Sequence, residues 1–187
     1  MRRPSRVLVQ LAATSLLLVQ LSVAWASPPN SLPAYEVKAE FIERFTRFVD
    51  WPDSVFVSPS SPFVVCVWGS GALASQLERV VVGRRIKARP VRLLHVGSGD
   101  RLTPCHILYV AAVDREVVRA ITASTRGKSI LSIGDQPGFA LEGLLINLVL
   151  DDEGFVRFEI NRDVARASGL KISAKLMRLA RLVGPLR

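Results

Sequence analysis

Apolar residues recur along this chain with two different spacings, and the two alternate. Between residues 34 and 49, Val37, Phe41, Phe45 and Phe48 follow a helical spacing, which predicts an amphipathic helix that ends before Pro52. Apolar runs predict strands at 63–68, 107–112, 129–133, 144–150 and 155–160, with helices at 72–82 and 114–124 between them. Residues 84–96 alternate imperfectly around Pro90, which favours an edge strand or a break.

The last part of the chain predicts a hairpin followed by helices. Asp151 to Gly154 form a turn between the last two strand runs, and Asn161 and Asp163 suit the start of a helix that Gly169 ends. Ser173 suits the cap of a final helix, whose apolar stripe is Leu176, Leu179, Ala180 and Val183. The prediction is therefore a single α/β layered domain over 37–187, with a mainly parallel sheet flanked by helices and closed by a C-terminal antiparallel hairpin and helix.

The first 26 residues carry the features of an export signal. Three arginines, Arg2, Arg3 and Arg6, precede an apolar run over 7–19, and Ala24-Trp25-Ala26 offers a small-x-small cleavage site. This predicts a signal peptide at 1–26, a leader at 27–36 and a periplasmic protein. An uncleaved membrane anchor is the alternative, although polar residues interrupt the apolar run.

The composition is basic, with a formal charge of +9 over 187 residues. Removal of the predicted signal would leave +6, because the three arginines leave with it. The cations are not interleaved with aromatic residues and no nucleic-acid fingerprint is present, so we expect no nucleic-acid partner. In an exported protein, such charge favours acidic partner domains, cell-wall polymers or anionic lipid headgroups, unless it is only a solvated surface.

Cys66 and Cys105 are the only cysteines. An even number in an exported chain favours a disulfide, because the compartment is oxidising. The two residues fall beside apolar runs that could be strands of one sheet. Two separate buried thiols are the competing interpretation.

The patterns that usually carry chemistry are incomplete in this chain. Gly69-Ser70-Gly71 begins a glycine-rich turn of the kind that binds dinucleotides. The acidic residue that would bind the ribose is missing, because Arg89 to Val91 occupy its place about 20 residues later. His95 and His106 lack metal-ligand spacing, and Cys105 and His106 are neighbours on a predicted strand, which points them to opposite faces. We therefore predict no cofactor, no metal and no enzymatic activity.

The strand at 155–160 gives the best candidate for a contact surface. Alternation places Val156, Phe158 and Ile160 on one face, and Arg157, Glu159 and Asn161 on a half-exposed polar face. Arg157 and Glu159 could simply pair with each other. Alternatively they could form, with Lys171 and Lys175, a polar patch that contacts a partner or a small anion.

Several blocks of the sequence resemble the YfiR-like family of periplasmic proteins. They are the segments 37–41, 48–52, 105–109, 138–139, 146–147, 156–161 and 169–176, which occur in this order from Val37 to Val183. The resemblance supports pairing of Cys66 with Cys105. A second cysteine pair known in the family is missing near the hairpin, where Ala140 and Asn147 stand.

The resemblance implies a regulator without catalytic activity, which often forms a homodimer. Its expected partner is the periplasmic sensing domain of an inner-membrane diguanylate cyclase of the YfiN type, whose cyclic di-GMP production it would repress. The expected contact residues are Arg157, Glu159, Lys171 and Lys175. A periplasmic small-ligand-binding module and an accessory subunit of a membrane sensor kinase are the alternatives.

Overall fold

Regular structure covers most of residues 33–184, the part of the chain that the computed structural model describes. The helices are α1 (Ala34–Phe45), α2 (Ala72–Val81), α3 (Arg115–Thr125), α4 (Arg162–Ala167) and α5 (Ala174–Leu179), and Asp53–Val55 form one 3-10 turn. The strands are β1 (Val49–Asp50), β2 (Phe63–Trp68), β3 (Arg85–Ile86), β4 (Arg89–Val96), β5 (Ile107–Val110), β6 (Leu131–Gly134), β7 (Ile146–Leu150), β8 (Val156–Asn161), β9 (Lys171–Ile172) and β10 (Arg181–Val183). The predicted signal peptide lies outside the described residues.

Eight of these strands form one sheet in the order β10-β8-β7-β6-β5-β2-β4-β3. From β4 to β7 all neighbours are parallel, which is the 2-1-3-4-5 order of a doubly wound α/β fold. β7 and β8 form the predicted antiparallel hairpin, with Leu150 opposite Val156. The predicted fold class is confirmed.

The hydrophobic core lies on both faces of the sheet. On one face, α1 and α2 bury Ile42, Phe45 and Leu77 against the strands. On the other face, α3 buries Val118 and Ile121. The strands between these layers are apolar on both sides, which is why they appear in the sequence as unbroken apolar runs.

A disulfide joins Cys66 of β2 to Cys105, which lies just before the adjacent strand β5. The two Cα atoms are 5.7 Å apart, and the residues are 0% and 3% exposed. The prediction that these cysteines pair is confirmed. Because both residues are buried beneath α3, the bond is part of the core in the folded protein.

The first glycine of the dinucleotide-like turn serves packing between β2 and β5. Gly69 has a φ of +85°, and a Cβ at this position would lie 3.1 Å from the Cβ of Ala111. A larger residue would have to adopt a left-handed conformation and displace the neighbouring chain. Close packing therefore accounts for this glycine without a bound nucleotide.

The predicted helix over 34–49 is too long at its C-terminal end. α1 ends at Phe45, and a turn follows in which the Thr46 hydroxyl donates to the Glu43 carbonyl oxygen over 2.6 Å. The chain then extends as β1, because Val49 and Asp50 pair with Ile172 and Lys171. Phe48 and Val49 are thus outside the helix that their spacing predicted.

The predicted final helix is also too long. α5 ends at Leu179, and residues 181–183 form β10, which pairs parallel with β8 at the end of the sheet. Leu176 is buried as expected, but Leu179 is 66% exposed, and Ala180 and Val183 lie outside the helix. The pairing of these three residues with β8 therefore overrides the helical propensity of the local sequence.

Candidate functional site

A cleft of about 790 Å³ lies within the described part of the chain. It lies where β6 and β7 end and where β8 and β10 begin. We call this site the cleft. Its wall is formed mainly by Lys38, Asp135, Val149 to Asp152, Arg157 to Glu159 and Leu179 to Arg181. The carboxyl ends of parallel strands are the usual place for binding sites in doubly wound folds.

The arginines of the cleft are paired with carboxylates that are more buried than they are. Arg157 Nε lies 2.7 Å from Asp151 Oδ2, with side-chain exposures of 64% and 20%. Arg181 pairs in the same way with Glu159, with exposures of 70% and 5%. Each guanidinium is therefore positioned by the buried carboxylate behind it, while its own surface remains accessible to solvent.

Glu159 of the cleft wall forms a buried polar pair with Asn147, which lies behind the wall. Asn147 donates from Nδ2 to Glu159 Oε2 over 3.1 Å and to the Gln136 carbonyl oxygen over 2.9 Å. Both partners are acceptors, which fixes the orientation of the amide. Asn147 Oδ1 is buried and has no hydrogen-bond partner in the described part of the chain.

Asp135 connects helix α1 to the carboxyl end of the sheet. Lys38 Nζ lies 3.3 Å from Asp135 Oδ2, and the Tyr109 hydroxyl donates to Asp135 Oδ1 over 3.1 Å. Burial, together with the charge and hydrogen bond of Asp135, raises the pKa of Tyr109 far above its usual range. Tyr109 is therefore a fixed hydrogen-bond donor at neutral pH.

Asp151 links the hairpin turn to the cleft. Its Oδ1 accepts from the backbone N–H of Phe155 over 2.7 Å, and its Oδ2 accepts from Arg157. Partial desolvation acts to raise the pKa of Asp151, but these hydrogen bonds and the Arg157 charge outweigh it and lower the pKa. The carboxylate therefore keeps its charge at neutral pH.

Large apolar side chains are exposed around the mouth of the cleft. Leu150 is 49% exposed, Phe155 is 63% exposed and Leu179 is 66% exposed. Leu150 and Leu179 line the cleft from the ends of β7 and α5, and the Phe155 ring in the hairpin turn lies 5.9 Å from Cζ of Arg157 at its rim. Exposed apolar residues that gather at one place, with arginines beside them, are typical of an interaction site.

A second surface borders the cleft at Leu179. It comprises Lys171 of β9, Lys175, Arg178 and Leu179 of α5, and Leu182 of β10, and we call it the basic edge. All five residues are exposed, and Leu182 is 40% exposed. In the described residues, none of the three cations forms a salt bridge, and Lys175 Nζ lies 5.8 Å from the ring centre of Phe48.

The four predicted contact residues are divided between these two surfaces. Arg157 and Glu159 belong to the cleft, whereas Lys171 and Lys175 belong to the basic edge. Arg157 and Glu159 do not pair with each other, and Glu159 is only 4% exposed because Asn147 and Arg181 lie against it. The polar face of β8 is therefore largely buried, and the expected half-exposed surface is wrong at Glu159.

Sequence reasoning missed Arg181, Asp151 and Asn147. The helical pattern of the last residues extends across Arg181, and the turn pattern predicts that Asp151 is solvated. In the structure, both residues place a charge in the cleft. Asn147 sits within an apolar run, and a lone polar residue in such a run is the signal that could have revealed it.

His106 lies in a buried stack away from both surfaces. Its Nδ1 accepts from the backbone N–H of Val64 over 2.9 Å, and its ring packs against the rings of Phe56 and Phe63. Burial lowers the pKa of His106 from 6.5 to about 4, and the nearby charge of Arg89 adds to this effect. Within residues 33–184, no group of acidic, histidine and cysteine side chains is arranged to hold a metal ion.

The structure is a doubly wound α/β domain with a polar cleft at the carboxyl ends of its strands and a basic edge beside it. The model of the YfiR/HmsC-like family matches residues 35–181, and the chain belongs to this family, which is regulatory rather than catalytic. A comparison with curated proteins finds no significant match. In the described part of the chain, every helix is too short or too polar to cross a membrane.

Proposed function

We propose that the chain is a periplasmic regulator that binds the sensing domain of an inner-membrane diguanylate cyclase and represses cyclic di-GMP production. Membership of the YfiR/HmsC-like family supports the regulatory role. Such repression requires no reaction: a protein that binds the inactive conformation of a sensor more tightly shifts the population toward it.

The residues around the mouth of the cleft are the reason why we choose the cleft as the partner-binding surface. Phe155, Leu150 and Leu179 are exposed beside the held guanidiniums of Arg157 and Arg181. Aromatic residues and arginines dominate the binding energy of protein interfaces, and their fixed positions reduce the entropy lost on binding. We therefore assign the cleft as the sensor contact.

The decisive test is the affinity for the isolated periplasmic domain of the cyclase encoded in the same host, measured by calorimetry. Phe155→Ala should weaken binding by roughly 30-fold, as expected for an exposed aromatic contact worth about 2 kcal/mol. The same variant should raise cellular cyclic di-GMP. Val57→Ala is the control, because Val57 is fully exposed in the loop before β2.

Equal affinities for the two variants would contradict the cleft as the contact. Co-purification with membrane proteins of the host identifies the partner, and recovery of a sensor kinase instead of a cyclase would favour the accessory-subunit alternative. The sequence also predicted Lys171 and Lys175 as partner contacts, so Lys171→Glu and Lys175→Glu should weaken sensor binding without unfolding the protein. Unchanged affinity in the same assay would contradict that prediction.

A small-ligand module is the second candidate, and the size of the cleft favours it. A volume of about 790 Å³ falls within the range of small-molecule sites. A thermal-shift screen with nucleotides, amino acids and cell-wall fragments tests this function, since a ligand that binds only the folded state raises Tm.

The homodimer remains a separate prediction. β10 is the end strand of the sheet among the described residues, so its outer edge is open to pairing. Sedimentation equilibrium with Leu182→Pro, which cannot extend a ladder there, tests whether two copies join through this strand.

A further inference from the structure

We infer that the basic edge is a docking surface for anionic phospholipid headgroups. The excess positive charge is the first observation. Residues 33–161 contain fifteen cations and fifteen acids, whereas residues 162–184 contain six cations and one acid, Asp163. The charge imbalance of the described chain therefore arises from its last elements, α4 to β10.

The basic edge presents cations and apolar groups on the same surface. Lys175, Arg178 and Leu179 are three and four positions apart on α5, so they share its outer face, while Leu176 faces the core. Leu182 continues the surface on β10, at 40% exposed. Cations beside exposed leucines are the pattern of segments that lie at a membrane interface, where leucine enters the acyl boundary and cations meet the headgroups.

The lack of carboxylate partners for these cations favours a lipid surface over a protein partner. Lys171, Lys175 and Arg178 lie on flexible side chains, and no carboxylate holds them among the described residues. Fluid headgroups can adapt to mobile cations, whereas recognition of a fixed protein surface gains from cations that are already positioned. The proposed function places the protein beside an inner membrane, and the proposal rests on it only in that respect.

The test is co-sedimentation of the protein, as recovered from cells, with lipid vesicles. Vesicles of phosphatidylcholine are compared with vesicles that also contain phosphatidylglycerol, at low and high salt. We expect binding to the anionic vesicles alone, weakened by salt. The triple variant K171Q/K175Q/R178Q should lower the affinity roughly 100-fold, since each cation near an anionic surface contributes about a factor of five.

A matched control removes three exposed arginines from the opposite end of the sheet. R84Q/R92Q/R101Q makes the same change in net charge near β3 and β4, which are also basic. If this variant loses as much affinity as the triple variant of the basic edge, binding reflects total charge and the proposal is wrong. Equal binding to both kinds of vesicle would also overturn it.

A leucine variant tests the apolar part of the surface. L179S/L182S should weaken vesicle binding by roughly tenfold, because two partly exposed leucines would no longer enter the interface. If the triple variant K171Q/K175Q/R178Q instead lost binding to the isolated sensor domain and kept vesicle binding, the basic edge would be a protein contact. Failure of the Phe155→Ala test would leave the vesicle result unaffected, so the two proposals can fail separately.

Discussion

The cleft and the basic edge meet at Leu179, yet they hold their charges in opposite ways. In the cleft, Arg157 and Arg181 lie against carboxylates that are more buried than the guanidiniums. On the basic edge, Lys171 and Lys175 have no salt bridge in the described part of the chain. Held charges favour recognition of one partner geometry, whereas free charges favour a diffuse anionic surface.

This difference has a consequence for folding as well as for binding. The charges of the cleft belong to the packed structure, because Glu159 and Asn147 are buried in contact with each other. The cations of the basic edge pair with no carboxylate in the described residues, and the contact of Lys175 is with the ring of Phe48, 5.8 Å away. Substitutions in the cleft should therefore change stability and binding together, and substitutions on the basic edge should change binding alone.

The largest effect is expected at Glu159. Glu159→Ala removes the acceptor of Asn147 and the partner of Arg181 and leaves a cavity, so the free energy of unfolding should fall by about 2 to 3 kcal/mol. Denaturant unfolding monitored by tryptophan fluorescence measures the loss. Glu159→Gln fills the same space and keeps one acceptor, but it turns an NH2 donor toward either Asn147 or Arg181, so it should restore only about half of the stability. A change below about 0.5 kcal/mol for Glu159→Ala would show that the cleft charges are as independent of the fold as those of the basic edge.

An intermediate effect is expected from acid, through His106. Its pKa is about 4 in the folded protein, against 6.5 for a histidine that is not buried, so the unfolded chain binds more protons between these values. Stability should therefore fall as pH is lowered from 6.5 to about 4, by about 2 kcal/mol when solvent screening is allowed for. The free energy of unfolding of His106→Gln, measured in the same way, should change little between pH 6.5 and about 4.

Acid also separates His106 from the cleft. The pKa of Asp151 is lowered, so the pair with Arg157 stays charged while His106 titrates. Sensor binding should therefore persist at pH 5 in the fraction of molecules that remain folded. Loss of binding in parallel in wild type and in His106→Gln would mean that a group of the cleft or of the sensor titrates instead.

The fold class and most elements could be predicted from the sequence because the central strands are buried on both faces. The unbroken run Phe63–Trp68 coincides with β2, and the Asn161 and Ser173 side chains cap α4 and α5 as expected. The errors fall where short pairings with distant strands decide the structure. β1 has two residues and β10 has three, and no local pattern reveals such partners.

The candidate site was less predictable than the fold, for the same reason. Arg157 could be selected from strand alternation, but its acid, Asp151, lies across the hairpin turn. Arg181 could not be selected, because its place beside Glu159 depends on the parallel pairing of β10 with β8. Burial of Glu159 likewise follows from that pairing, and the two-residue period of a strand carries no information about it.

The smallest effect on stability is expected on the basic edge. K171Q/K175Q/R178Q should change the free energy of unfolding by less than about 0.5 kcal/mol, because exposed cations without partners lose little when they are neutralised. A slight gain would follow from reduced repulsion within the excess positive charge of residues 162–184. Denaturant unfolding at low and high salt measures this, and the difference between wild type and variant should shrink as salt screens the charges. A loss as large as that of Glu159→Ala, unchanged by salt, would show that these side chains are packed into the fold, and the contrast between the two surfaces would no longer hold.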